Sequence, residues 1–125
     1  MNDELDGYSY TDLTPEHIDR ELDRVNYLIT KWNKILAWHR AQKDWRATRF
    51  AVAEARQMMS FTGAVGKAKA YAARETEQER IDLDIANAQH GLCERRLSAL
   101  EKELIAIGMR SKLLAQVFGT GGGNF

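Results

Sequence analysis

Ten cations crowd one stretch of this chain: Lys31, Lys34, Arg40, Lys43, Arg46, Arg49, Arg56, Lys67, Lys69 and Arg74. Only Asp44 and Glu54 oppose them, so the stretch carries +8 in a chain of 125 residues whose formal net charge is zero. Lysine and arginine supply the mobile and forked cations that phosphates need, and such clustering is the electrostatic footprint of a nucleic-acid binder. Aromatic residues are interleaved with the charges: Trp32, Trp38, Trp45, Phe50, Phe61 and Tyr71, including all three tryptophans. Exposed rings of this kind are platforms on which single-stranded bases stack. Trp38, Phe50 and Phe61 are the candidates for stacking. Trp32 and Trp45 fall on apolar seams and are expected to hold helices together instead.

Other chemistry finds little footing. The carboxylates collect at the N-terminus, in the first turns of one helical pattern and at the start of another, at the spacing of a solvated helix face. Gly63-x-x-Gly66 is too short for a phosphate cradle and lacks the following Lys-Ser/Thr pair. His90 and Cys93 stand three residues apart, but a closed zinc site needs four ligands and no second pair is present. The expectation is a buried cysteine beside a solvent-facing histidine, with no catalytic site, no metal and no cofactor.

The neutral total conceals segregation, because residues 1–30 carry −6 and residues 75–125 carry −2 around the basic middle. One cysteine excludes an internal disulfide framework and points to a reducing compartment. The first residues are acidic and lack an apolar run, so they are not expected to act as a Sec-type signal peptide, and no window approaches the ~20 apolar residues of a membrane span. The expected setting is cytoplasmic, without a membrane partner.

These residues must be positioned by helices, since no segment shows the period-two alternation of a strand. Residues 1–13 read as an acidic arm. Thr14 caps, Pro15 suits the first helical position and Glu16 favours the positive end of the helix dipole. Ile18, Leu22, Val25, Ile29, Trp32 and Leu36 then form a heptad seam. Its phase shifts to Trp38, Ala41, Trp45, Val52, Ala55 and Met59, so one helix is expected from Pro15 to Met59. A breaker-rich turn covers residues 60–66. A second long helix follows the glycine pair and ends near Phe118, with seams through Ile81, Ile85, Ala88 and Leu92 and then Leu97, Leu100, Leu104, Ile107, Leu114 and Phe118. Gly91 marks an expected close helix crossing or bend. Residues 119–125 read as a glycine-rich tail. The predicted fold is all-α, a long antiparallel helical hairpin over residues 14–118. Its apolar stripes are wider than one partner helix covers, so a homo-oligomer is expected.

The segment Tyr27-x-x-x-Lys31-Trp32-x-Lys34, followed by a basic helix with spaced alanines, a glycine-bearing break and a second long helix, resembles small all-helical phage recombination mediators of the UvsY type. The resemblance extends over residues 27–116. It implies single-stranded DNA binding, homo-oligomerisation and contacts to a recombinase and a single-strand-binding protein. A second resemblance is to the WXG-like secreted helical hairpins, through Phe61-Thr62-Gly63 at the turn and Tyr71-x-x-x-Glu75. The alternative function, a structural or adaptor hairpin for protein–protein assembly of WXG-like or phage assembly type, has its basic face meeting an acidic protein surface, and the charge segregation fits it too. Phenylalanine in place of tryptophan, and Tyr71 near the turn, rank this second resemblance below the first.

Overall fold

The computed structural model describes residues 14–119, and expectations placed on residues 1–13 and 120–125 lie outside them. Helix α1, Pro15–Ser60, runs 46 residues with no internal glycine or proline to break it. Its start is the one the sequence announces. The hydroxyl of Thr14 accepts the His17 N–H at 3.2 Å, and the Thr14 carbonyl takes the Ile18 N–H at 3.0 Å. Those bonds satisfy donors that a helix N-terminus leaves without partners. After Ser60 the chain turns at Gly63, whose φ of +148° is open to glycine, and a Cβ there would stand 2.8 Å from the Phe61 ring.

Helix α2, Val65–Glu75, and helix α3, Glu77–Leu114, occupy the place of the single second helix expected from the sequence. A turn of π-helix, Ala115–Gly119, follows α3. Two corrections belong here. Helix α2 begins at Val65, one residue ahead of Gly66, so only Gly63 acts as a breaker. The break at Thr76 was not foreseen. Thr76 is buried and leaves helical geometry at φ −112°, ψ 21°, while its hydroxyl donates to the Ala72 carbonyl at 2.6 Å. A threonine hydroxyl that bonds back to the preceding turn competes with the helical ladder. No strand occurs among the described residues, so the fold is all-α. None of the described helices is long and apolar enough to cross a membrane.

The described residues divide into two compact units. The first takes α1 up to Trp32 and α3 from Arg96 onward. Ile18, Val25 and Ile107 form its buried centre, with Leu22, Ile29, Leu104 and Leu114 packed around them. The first heptad seam therefore faces a core, as its periodicity requires. Arg24 adds a polar clamp, bonding Glu21 at 2.7 Å on its own helix and Glu103 across on α3. Both bonds stabilise charge: the Arg24 guanidinium holds the Glu21 carboxyl below its ordinary range, and Glu21 and then Glu103 hold the Arg24 guanidinium above its own.

The second unit takes Asn33–Arg95: the rest of α1, the turn, α2 and the first half of α3. Its buried residues are small or polar, namely Ala68, Ala72, Thr76, Ala86, His90 and Cys93. His90 is a correction, since it was expected to face solvent. It is buried, with Nδ1 at 3.3 Å from Glu94 Oε1. Gly91 is another. α3 runs through it unbroken, and a Cβ there would meet only the end of the Arg95 side chain at 3.6 Å, so no helix crosses closely.

Candidate nucleic-acid interface

The largest departure from expectation is the second apolar seam of α1. Trp38 and Trp45 are 59% and 48% exposed, and Ala41, Val52, Ala55 and Met59 are exposed beside them. The positions turned inward in this part of α1 are instead mixed: Ile35, Leu36, His39, Gln42, Phe50, Ala53 and Gln57 are all partly buried. A heptad of apolar residues implies an apolar face, and on this half of α1 that face looks outward.

Cations share that outer face. Lys34, Trp38, Trp45, Arg49, Val52 and Arg56 follow one another in steps of four, seven, four, three and four, which keep them on one side of a helix, and all six are exposed. The Arg49 guanidinium carbon lies 5.1 Å from the centre of the Trp45 ring, and that of Arg46 lies 4.6 Å from it. His39 meets the Trp38 ring edge-on at 4.9 Å between centroids, steadying it. Two open grooves border the face within this unit. One of about 430 Å³ is lined by Arg49, Val52, Arg56 and, from α3, Glu79; one of about 200 Å³ lies between Trp38 and Ile85.

The other predicted residues are distributed differently. Lys31 is exposed but belongs to the first unit. Arg40, Lys43, Arg46 and Arg49 advance by three residues, about 60° short of a full turn each time, so the row winds around the helix. It passes through the partly packed side at Lys43 and Arg46, which places Arg40 and Arg49 on opposite faces. Arg46 is further engaged by Asp82, 3.6 Å away. On α2, Lys67, Lys69 and Arg74 are exposed, with Arg74 3.8 Å from Glu75 and its guanidinium over the Tyr71 ring. Lys34, Arg40, Lys43, Arg49, Arg56, Lys67 and Lys69 form no ion pair among the described residues.

Of the aromatic candidates, Trp38 is exposed as a stacking residue must be, whereas Phe50 and Phe61 are half-buried. Phe61 packs on Tyr71 at 5.2 Å between centroids and serves the turn. Trp45 was assigned to packing and is corrected to the surface. Trp32 is half-buried as expected, with the Arg96 guanidinium 5.9 Å from its ring centre. The signal that could have placed Trp45 outside lies on its own face, where Lys34, Arg49 and Arg56 share the side of α1 it occupies and cations are almost never buried unpaired.

No group of three or more side chains suited to a metal occurs among the described residues. Comparisons with protein-family models, curated proteins and solved structures give no match.

Proposed function

We propose that this chain is a non-enzymatic accessory protein that binds single-stranded nucleic acid, DNA in the first place, along the outer face of α1. The observation that carries the reading is Trp38 and Trp45 standing exposed on the face that also presents Lys34, Arg49 and Arg56. Seven residues of helix separate the two rings by ~10.5 Å, with cations on either side of the pair. Stacking on the rings and neutralisation of phosphates by the cations is the combination used for single strands without sequence preference. Arg40, Lys67 and Lys69 extend the positive surface elsewhere on the same unit. A hairpin arrangement of α1 against α2 and α3, assembled into a homo-oligomer, completes the proposal, with recombination mediation as the role its layout suggests and a recombinase or single-strand-binding protein as the further partner.

The test is fluorescence anisotropy with labelled single-stranded DNA, duplex DNA and RNA at two salt concentrations. Affinity for single strands should exceed that for duplex, and the logarithm of the binding constant should fall with log salt by about 0.7 for each phosphate neutralised. Absence of single-strand binding at low ionic strength overturns the proposal.

A further inference from the structure

The N-terminal half of α3 carries a second outward apolar row. Ile81, Ile85, Ala88 and Leu92 are spaced four, three and four, the step of a coiled-coil seam, and all four are exposed: Ile85 by 51% and Leu92 by 60%. Below this row the helix is packed through Ala86, His90 and Cys93, so the row is surplus to the unit's own core. In heptad register the seam extends by one position at each end, to Gln78 and Arg95, both exposed.

We infer that this row is a docking seam for the same helix of a second copy, running antiparallel. The argument from periodicity is that a 3.5-residue repeat presents a continuous face only to another helix. Orientation follows from the residues. Antiparallel pairing sets Ile81 against Leu92, Ile85 against Ala88 and Gln78 against Arg95, and the pattern repeats itself under the two-fold axis that an isologous interface requires. The large Ile85 then meets the small Ala88 on both sides of the centre. Arg95 arrives at the partner's N-terminal end of the seam, where Glu77 is exposed and forms no ion pair among the described residues. Parallel pairing instead stacks Arg95 on Arg95 and alanine on alanine, which adds like-charge repulsion and a central void.

The outer face of α1 does not serve this purpose equally well. Lys34, Arg49 and Arg56 stand among its apolar residues, so two copies meeting there would bring like charges together, whereas the α3 row contains no cation between Ile81 and Leu92. The seam names the surface behind the assembly part of the proposed function; it meets the α1 face at the groove between Ile85 and Trp38, and Leu92 lies outside that groove, so a change at Leu92 tests the seam by itself.

Disulfide trapping in the full chain tests it. Ile81→Cys and Leu92→Cys are prepared separately, mixed and oxidised gently, with wild type controlling for Cys93, which is buried. A mixed 81–92 cross-link between copies is expected, because antiparallel pairing brings those positions within disulfide reach. Ile81→Cys alone should not cross-link, since its counterpart lies ~16 Å along the seam at 1.5 Å per residue. A self-cross-link at 81 in place of the mixed one overturns the antiparallel seam, and so does a wild-type chain that sediments as a monomer. Leu92→Glu, which is exposed and leaves the core intact, should lower the sedimenting mass while helix content and single-strand binding by the isolated chain persist. Unchanged mass in that variant also overturns the seam.

Discussion

Arg46 Nη1 lies 3.6 Å from Asp82 Oδ2, tying α1 to α3 within the second unit and neutralising one cation of the basic set. Both side chains remain about one-third exposed, at 36% and 33%, so the pair contributes under about 1 kcal/mol to stability. Its larger consequence is electrostatic. Asp82→Asn should release Arg46 for a phosphate, tighten single-strand binding severalfold and steepen the salt dependence by about 0.7. Urea unfolding should detect the small stability loss in the same variant. Weaker binding, or an unchanged salt slope, would show that Arg46 never meets a phosphate.

The turn between α1 and α2 makes a pair of glycine substitutions opposite in sign. Gly63→Ala places a side chain at φ +148° and drives its Cβ to 2.8 Å from Phe61, which should cost about 1–3 kcal/mol. At Gly108, inside α3, an added Cβ meets nothing within 4 Å. Gly108→Ala should therefore stabilise by about 0.5–1 kcal/mol through helix propensity and the entropy of the unfolded chain. Thermal melts of the two variants should move in opposite directions.

Which features could be read from residues alone follows from the same physics. The α1 boundaries were legible because Thr14, Pro15 and the breaker-rich segment after Ser60 are local signals. The first seam was legible because Ile18, Leu22, Val25 and Ile29 are large, apolar and periodic, and they pack with Ile107 of α3. The cations of the candidate site were legible as a charge imbalance. What failed was the step from apolar seam to core. In the second unit Ala68, Ala72 and Ala86 are buried while Trp45, Ile85 and Leu92 stay exposed, and periodicity alone cannot tell an inner apolar face from an outer one. The α2–α3 break also escaped, because Thr76 acts through burial and one back-bond rather than as a proline or glycine.

That threonine can be tested directly. Thr76→Val keeps the shape but removes the 2.6 Å bond to the Ala72 carbonyl, and should cost about 1 kcal/mol. The carbonyl keeps the Thr76 N–H at 3.0 Å, so no acceptor is stranded. Thr76→Ala should cost more, because it also leaves space at a site only 1% exposed. Equal denaturation midpoints for valine and wild type would remove the hydroxyl from the account of the break.

The Arg24 clamp has a pH signature. Its bond to Glu21 lowers the carboxyl's value in the folded chain, so the contribution is fully present above the unfolded carboxyl range and is lost as pH falls through the depressed folded value. The pair is part-exposed, which limits the effect to about 1 kcal/mol or less. Arg24→Gln should accordingly lower the melting temperature slightly at neutral pH, with the difference from wild type shrinking on acidification. A difference that grows in acid would contradict the sign.

The tryptophans separate stacking from simple charge attraction. Trp38→Ala and Trp45→Ala remove exposed rings, so each should change stability little, while each lost stacking contact should weaken single-strand binding by about 1–3 kcal/mol. Phe61→Leu should do the reverse, since Phe61 packs on Tyr71 at the turn. Intrinsic fluorescence reads the same contrast. Wild-type emission should quench on adding oligo-dT, and replacing both Trp38 and Trp45 with phenylalanine should abolish most of the quench, because Trp32 is half-buried beside Arg96. Charge reversal at Lys34, Arg49 and Arg56 that eliminates binding, together with alanine variants of both tryptophans that bind as wild type does, would reduce the site to a phosphate-binding surface. The rings would then have to be assigned to a protein partner, because Trp38 and Trp45 stay about half exposed even with His39, Arg46 and Arg49 beside them.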